Sequence, residues 1–269
     1  MLSAALAQAH RDVYVHRNVA LLTKPPRNAK PALASLSTDD AGRIVRHATD
    51  DRLGSRWAAA ILTGARQGEL LGLEVDRVGD TLDLSWQLQR LTWSHGCRPF
   101  CRWTRGTDGP ARRVDAPIDH ERRELAGGLW LTRPKSAAGW RDIPLVEPLR
   151  ALLEARVDAS NREDNPHGLL WTMDAGKRSQ DIQGRPIDPG TDNKAWHRML
   201  DRLAIPQVRL HDARHAAVDV LYEAGAPEVV IKDIVGHAQI DMTRRYRSGR
   251  SLTPMADALD GLRQLLESR

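Results

Sequence analysis

The chain has 269 residues, of which 41% are hydrophobic, so it is long enough to bury a sizeable core. No apolar run approaches the roughly 18 residues of a membrane span. Polar and charged side chains interrupt residues 1–22, so we do not expect this stretch to be a secretory h-region. Two cysteines exclude a disulfide scaffold, and we expect a soluble intracellular protein. The net charge is +5, and 34 of the 40 basic residues are arginines. This basic excess is compatible with nucleic-acid binding but does not demonstrate it.

A proline-rich segment separates a short N-terminal helix from the rest of the chain. Apolar residues recur at helical spacing over residues 2–13 and predict a helix. Residues 23–31 cannot hold a helix, because their prolines lack an N–H donor and restrict the residues before them. We therefore predict three parts: residues 1–22 as the last helix of a missing or truncated N-terminal domain, residues 23–34 as a linker, and residues 35–269 as the main domain.

The main domain is predicted to combine helices with a small sheet. Ser37 is expected to cap its first helix, and a second helix runs through residues 57–62. Alternating polarity over residues 82–88 predicts a half-buried strand, and residues 129–134 and 141–145 predict a strand–turn–strand unit. Further helices are predicted at residues 147–158, 189–203, 211–224, 227–235, 239–247 and from Pro254 onward. This pattern is typical of a mainly helical α+β fold with one small antiparallel sheet.

An arginine and a glutamate follow the glycine turn after the second helix. In Thr63-Gly-Ala-Arg-Gln-Gly-Glu69, Arg66 lies at the start of a short helix. Glu69 comes three residues later, close enough to hold the guanidinium by a charge-assisted hydrogen bond. Taken alone, this pair is typical of an ordinary structural ion pair.

Histidine, arginine and tyrosine recur in the C-terminal half. His211 and Arg214 are three residues apart on one predicted helix and share a face. His237 precedes Tyr246 by nine residues. Tyr222 lies among apolar residues and is expected in the core.

These motifs occur in a fixed order along the chain. Thr-Gly-Ala-Arg-x-Gly-Glu-Leu is followed by Pro-Lys-Ser and Arg-Asp-Ile-Pro-Leu, then by His-x-x-Arg-His, and finally by Gly-His with a tyrosine nine residues later. This order resembles the tyrosine site-specific recombinase (phage integrase) family. The resemblance covers residues 33–250 apart from inserts near residues 92–128 and 173–187. It implies the catalytic fold of that family, with a small three-stranded antiparallel sheet.

The resemblance assigns the nucleophile and the phosphate-binding groups. It implies that Tyr246 attacks the scissile DNA phosphate and that Arg66 and Arg214 clamp this phosphate, with Glu69 in support. Guanidinium forks suit this task because they stay charged and pair bidentately with phosphate oxygens.

The remaining site residues are also assigned by resemblance. Lys135 becomes the hairpin lysine that donates a proton to the leaving 5′ oxygen, and it also contacts DNA. His211 is either the base for the nucleophile or an orienting group, and His237 takes a position that is His or Trp in the family. His215 is a supporting residue, for which we expect a packing role.

The implied reaction is cleavage and rejoining of DNA through a 3′-phosphotyrosyl intermediate with no cofactor, ATP or divalent metal. The implied partners are double-stranded DNA at a specific attachment site and other protomers in a tetrameric synapse, with a monomer in free solution and no membrane. The implied location is the cytoplasm of a bacterial or phage-infected cell. The apolar side of the last helix docks either in cis or on a neighbouring protomer, and the missing N-terminal part would be a DNA-contacting core-binding domain.

Alternatives remain open at the sequence level. The first insert contains His95, Cys97, Cys101 and His120, which form either a structural zinc site or a loop with unpaired thiols. A type IB topoisomerase would use similar chemistry. A truncated, non-enzymatic DNA-binding paralogue that antagonises an integrase is the third interpretation.

Overall fold

A computed structural model of the chain describes residues 2–23, 36–95, 112–114, 116–117, 119–134, 139–174, 182–236 and 253–267. The chain divides into two compact units, Met1–Leu33 and Ala34–Arg269. The first unit contains helix α1 (Leu2–Arg11) and a 3₁₀ turn (Val19–Leu22). The predicted N-terminal helix is therefore confirmed, although it ends two residues earlier than expected.

The helices of the second unit lie close to their predicted bounds. They are α2 (Thr38–Arg46), α3 (Gly54–Thr63), α4 (Gln67–Leu71), α5 (Leu149–Ser160), α6 (Pro189–Arg202), α7 (Asp212–Glu223), α8 (Glu228–Val235) and α9 (Thr253–Glu267). The helix predicted at residues 239–247 lies outside the described residues. Ser37 caps α2 as predicted, because its Oγ accepts the backbone N–H of Asp40 at 3.1 Å.

The core is centred on α3. All ten residues of α3 are buried, and the helix packs against α2, α5 and α7. Trp57 meets Trp196 of α6 edge-on, with ring centroids 6.3 Å apart. An all-buried α3 gives the turn that follows it a rigid base, and this turn carries Arg66.

The described strands all pair antiparallel. They are β1 (Thr81–Asp83), β2 (Gln87–Arg90), β3 (Trp93–His95), β4 (Arg112–Val114), β5 (Arg122–Ala126), β6 (Leu129–Thr132) and β7 (Asp142–Pro144). The central sheet has the order β2–β6–β5, while β1 pairs with β7 and β3 pairs with β4. The predicted mainly helical α+β fold with a small three-stranded antiparallel sheet is confirmed.

One strand prediction was wrong. The single strand predicted over residues 82–88 is split into β1 and β2, which belong to different sheets. Asp83 Oδ1 accepts the backbone N–H of Ser85 at 2.8 Å, and this local bond turns the chain where the alternating pattern continues. The strands predicted over residues 129–134 and 141–145 are confirmed as β6 and β7, although they do not pair with each other: β6 pairs with β2 and β5, whereas β7 pairs with β1.

Tyr222 is a further correction. Its side chain was expected in the core, but the residue is 51% exposed near the end of α7. The buried side of α7 is formed by small and aliphatic residues, including Ala217, Val220 and Leu221. Tyr222 comes one residue later and thus points about 100° further around the helix.

The last helix packs on the same chain. Its apolar side is buried against α2, α7 and α8; the buried residues include Met255, Leu259, Leu262 and Leu266. Arg46 donates an Nη1–H to the carbonyl of Leu266 at 3.2 Å. The structure therefore has α9 docked in cis. Within the described part of the chain, no helix is both long and apolar enough to cross a membrane.

Candidate active site

Arg66 lies at the N-cap of α4, directly after the turn that ends α3. Gly64 ends α3 in the left-handed region (φ +60°), which favours glycine. Glu69 Oε2 accepts the backbone N–H of Arg66 at 2.7 Å, and Oε1 accepts its Nη1–H at 2.7 Å. The expected charge-assisted hydrogen bond between Arg66 and Glu69 is present. Because the Arg66 side chain stays 40% exposed, it can still meet a ligand.

Arg214 reaches the same turn from α7. Its Nη1 donates to the carbonyl of Gly64 at 2.5 Å, although the two residues are far apart in sequence. The residue is only 4% exposed, and its Nη2 has no hydrogen-bond partner among the described residues. Burial, with the nearby cations Arg66 and Arg141, lowers the pKa of Arg214 to about 9.

A third arginine, which the sequence analysis left without a role, completes the cluster. Arg141 is buried and donates to both carboxylate oxygens of Glu69, at 3.1 and 2.9 Å. Burial acts to raise the pKa of Glu69, but Arg141 and Arg66 outweigh it, so the pKa lies below its ordinary value. Glu69 therefore remains ionised between two guanidiniums. The only sequence signal for Arg141 was its place in Arg-Asp-Ile-Pro-Leu.

The end of α8 is anchored beside these arginines. Gly236 ends α8 in the left-handed region (φ +75°), and its carbonyl accepts the Nη2–H of Arg66 at 2.9 Å. In the sequence, His237 is the next residue. The backbone entering His237 is thus tied directly to Arg66.

His211 lies at the N-cap of α7 and is solvent-accessible. Its ring meets that of His215 edge-on, with centroids 5.1 Å apart. Partial burial, then the charges of His215 and Arg214, lower the pKa of His211. A neutral imidazole at physiological pH can accept a proton. His215, for which a packing role was expected, is exposed rather than part of the core.

A cation–π stack is formed by residues that come before and after Lys135 in the sequence. The guanidinium of Arg133 lies 4.3 Å from the ring centroid of Trp86 and 4.7 Å from that of Trp140. Arg133 also donates to Ser85 Oγ at 2.8 Å. These contacts hold the chain immediately before and shortly after Lys135.

Several predicted site residues lie outside the described residues: Lys135, His237, Tyr246, Cys97 and Cys101. Of the other predicted zinc ligands, the described part of His95 is its backbone in β3, and the carbonyl of His120 accepts the Nη1–H of Arg122 at 3.2 Å. The described residues contain no group of three or more His, Cys, Asp or Glu side chains that could hold a metal. The zinc site stays a prediction.

The described cluster can bind an anion. Three guanidiniums, of Arg66, Arg141 and Arg214, surround the single carboxylate of Glu69, which leaves an excess of positive charge. The unpaired Nη2 of Arg214 is a buried donor, and buried donors in native proteins nearly always have an acceptor, supplied by the protein, an ordered water or a ligand. An anionic oxygen is the acceptor that this charge balance favours.

Comparisons with known proteins bear on the family of this chain. The phage integrase family model matches residues 120–251. An integrase of Saccharopolyspora erythraea is 30% identical over 263 residues, covering 90% of this chain and 60% of that protein. A XerC-like tyrosine recombinase of Caldanaerobacter subterraneus is 22% identical over 233 residues, covering 84% of this chain and 53% of that protein. The chain thus spans between about half and three fifths of these relatives.

Solved structures share the fold. The Tn1549 transposon integrase, in complex with a circular intermediate DNA, has a TM-score of 0.58 and 17% identity, covering 99% of this chain and 76% of that chain. The XerA recombinase has a TM-score of 0.51 and 16% identity, covering 96% and 70%. These likenesses confirm the predicted fold.

Proposed function

The chain belongs to the phage integrase family of tyrosine recombinases, and on this premise we propose that it recombines DNA at a specific attachment site. One observation carries the proposal: Arg66 and Arg214, distant in sequence, meet at the turn after α3, where a buried Arg214 N–H has no partner among the described residues. A DNA phosphate is an anion of the right kind for this cluster.

The proposed reaction requires positive charge at the scissile phosphate. A phosphodiester carries one negative charge, which rises towards two in the transition state, so catalysis depends on positioning and charge stabilisation. Arg66 and Arg214 supply two guanidiniums, and His237 donates a further hydrogen bond to a non-bridging oxygen. Removal of one such donor typically costs about 10²–10³-fold in rate. Because side chains supply the charge, the proposed reaction needs no divalent metal.

The proposed step is a transesterification. The phenolic oxygen of Tyr246 forms a bond to phosphorus while the bond from phosphorus to the 5′ oxygen breaks. His211, whose pKa is lowered, accepts the tyrosine proton or orients Arg214. Lys135 donates a proton to the departing 5′ oxygen. The 3′-phosphotyrosyl ester retains the bond energy, so religation by the 5′-hydroxyl of a partner strand needs no ATP.

We further propose that the protein is a monomer in free solution and forms a tetrameric synapse on double-stranded DNA. The Tn1549 integrase, whose fold this chain shares, is described in complex with a circular intermediate DNA, which supports DNA as the partner. We also propose that residues 1–22 belong to an N-terminal domain that contacts DNA, and this assignment remains a prediction.

Covalent trapping tests the function directly. The protein is incubated with a library of nicked duplexes that carry randomised sites, and adducts that survive denaturation are captured and sequenced. We expect an adduct with the parent, none with Tyr246→Phe despite DNA binding, and a normal yield with Tyr222→Phe, since Tyr222 lies exposed on α7. A covalent adduct from Tyr246→Phe would refute the assignment of Tyr246 as the nucleophile.

The same preparation separates the alternatives. A parent that binds DNA but never forms an adduct would be the non-enzymatic paralogue. A parent that relaxes supercoiled plasmid without any paired site would act as a type IB topoisomerase. Strand exchange between two captured sites is the outcome expected of a recombinase.

A further inference from the structure

Arg141 is the most completely buried cation beside the proposed site. The residue is 2% exposed, and each nitrogen of its guanidinium donates to the protein. Nε donates to the carbonyl of Ile234 at 2.7 Å, while Nη1 and Nη2 donate to Glu69. Because the Arg141 side chain is 0% exposed, its remaining N–H groups do not face solvent, and Arg141 does not offer a donor to DNA.

The bonds of Arg141 join three separate parts of the chain. Arg141 directly precedes β7, Glu69 lies in α4, and Ile234 lies in the last turn of α8. The backbone carbonyl of Arg141 also accepts the N–H of Leu84 at 2.9 Å, which holds Arg141 against the chain just after β1. One side chain therefore connects the β1–β7 sheet to the two helices that border the proposed site.

Arg66 makes a parallel set of bonds. It shares Glu69 with Arg141, and it binds the carbonyl of Gly236, two residues after the carbonyl that Arg141 binds. Two guanidiniums thus hold the C-terminal end of α8, where helix carbonyls lack intrahelical partners and favour cations. This end leads into His237.

We propose that Arg141 is a positioning residue for recombination. It sets Arg66 through Glu69 and sets the backbone before His237 through Ile234, so that both act on the same phosphate. The inference rests on the proposed function. Arg141 touches neither DNA nor the reacting atoms.

Lysine cannot replace Arg141 in this role. The two parallel bonds to Glu69 and the third bond to Ile234 need the planar fork of a guanidinium, whereas an ammonium is a point charge on a flexible stem. Arg141→Lys keeps the charge but loosens the geometry. Misplacement of a catalytic group by about 1 Å can cost about 10²-fold in rate.

The chain offers a matched control. Arg156 donates Nε to the carbonyl of Leu170 at 2.8 Å and both Nη atoms to Glu163, at 2.8 and 2.5 Å. Glu163 is shared with a second arginine, Arg52, just as Glu69 is shared with Arg66. This cluster joins α5 to the loops around residues 163 and 170, and among the described residues none of its hydrogen bonds reaches the site arginines. Arg156→Lys therefore removes the same kind of bonds elsewhere.

Two readouts test the proposal on the full chain. In single-turnover cleavage of a captured nicked duplex at saturating DNA, we expect Arg141→Lys to be about 10²-fold slower than the parent. The Kd for the same duplex should change little, and Arg156→Lys should cleave like the parent. Equal cleavage rates of the two variants would overturn the proposal, because a general loss of stability would affect both.

A double variant guards against failure to fold. Arg141→Met with Glu69→Met replaces the buried pair by apolar side chains, a change that is often neutral or stabilising. Arg156→Met with Glu163→Met is its control. We expect slow cleavage only from the first; if it cleaves as fast as its control, the positioning role is refuted.

Amide hydrogen exchange separates this inference from the proposed function. Arg141→Lys should speed exchange of residues 66–70 and 231–236, whereas Arg156→Lys should leave both segments unchanged. If the parent forms no covalent adduct, the proposed function fails, and this exchange pattern still decides whether Arg141 holds the two segments. Unchanged exchange in Arg141→Lys overturns the inference.

Discussion

Arg214→Met should stabilise the protein while abolishing DNA cleavage. The guanidinium of Arg214 is buried, one of its nitrogens has no partner among the described residues, and Arg66 and Arg141 are close enough to repel it. A buried charge in this position is held at a cost to folding. Methionine fills a similar volume without that charge.

The pKa of Arg214 sets the size of this effect. Its fall from the ordinary value of an arginine to about 9 corresponds to an upper limit of about 5 kcal/mol for holding the charged form in the folded protein. Removing the side chain also removes its bond to the carbonyl of Gly64, which costs about 1–3 kcal/mol. We therefore expect the free energy of unfolding to rise by at most about 2–4 kcal/mol.

The pH dependence has a defined sign. Below pH 9 Arg214 is protonated in both the folded and the unfolded chain, so its full cost is present. Above pH 9, and up to the ordinary pKa of an arginine, only the unfolded chain keeps the proton on this side chain, so the parent regains stability as the pH rises. The advantage of Arg214→Met should be constant near neutral pH and should shrink above pH 9.

Urea unfolding at neutral pH measures the effect, with Arg156→Met as the control. Arg156 is a buried arginine whose nitrogens all have partners, so its loss leaves Glu163 and the Leu170 carbonyl short of donors and should destabilise the fold. If Arg214→Met lowers the free energy of unfolding as much as Arg156→Met does, the account of Arg214 as an uncompensated charge is wrong.

Three further expectations concern the surrounding structure. Hydrogen bonds from Arg156, opposed by burial and aided by Arg52, lower the pKa of Glu163 from 4.5 to about 2. The contribution of ionised Glu163 to stability is full above pH 4.5 and is lost as the pH falls towards 2. In urea unfolding, the parent should therefore lose about 2 kcal/mol of stability by pH ~3, a loss that Glu163→Gln should not show. Gly64→Ala should lower the free energy of unfolding by about 1–2 kcal/mol and slow cleavage, because the added Cβ is strained at φ +60° and lies 3.2 Å from Val235. Gly127→Ala, at φ +58° in open space, should show the backbone strain alone. Equal losses of stability from both variants would contradict the role of crowding at Gly64. Leu262→Ala in α9 should lower the free energy of unfolding by about 2–5 kcal/mol if α9 docks in cis, and a loss no larger than that of the exposed Val229→Ala would contradict this packing.

Local patterns in the sequence were sufficient to predict most helices and the pairing of Arg66 with Glu69. Ser37 caps α2, and Glu69 holds Arg66, because each of these bonds spans only three residues of chain. The order of motifs likewise indicated the family, since it records residue types in sequence rather than contacts. These features depend on neighbours that are always close along the chain.

Tertiary structure decided the features that depend on distant partners. The different partners of β1 and β2, the partners of β6 and the exposure of Tyr222 all depend on which surfaces the fold brings together. Alternating polarity indicates that a strand is half-buried but carries no information about which strand will pair with it.

The site shows the same division. The sequence by itself determined which residue types are present and that Arg66 has a carboxylate within reach. Only the tertiary structure decided that Arg214 binds the turn before Arg66, and that Arg141 holds Glu69 together with the end of α8. The physical reason is that a buried guanidinium needs acceptors in a fixed geometry, and for Arg141 and Arg214 these acceptors come from segments that meet only when the chain folds.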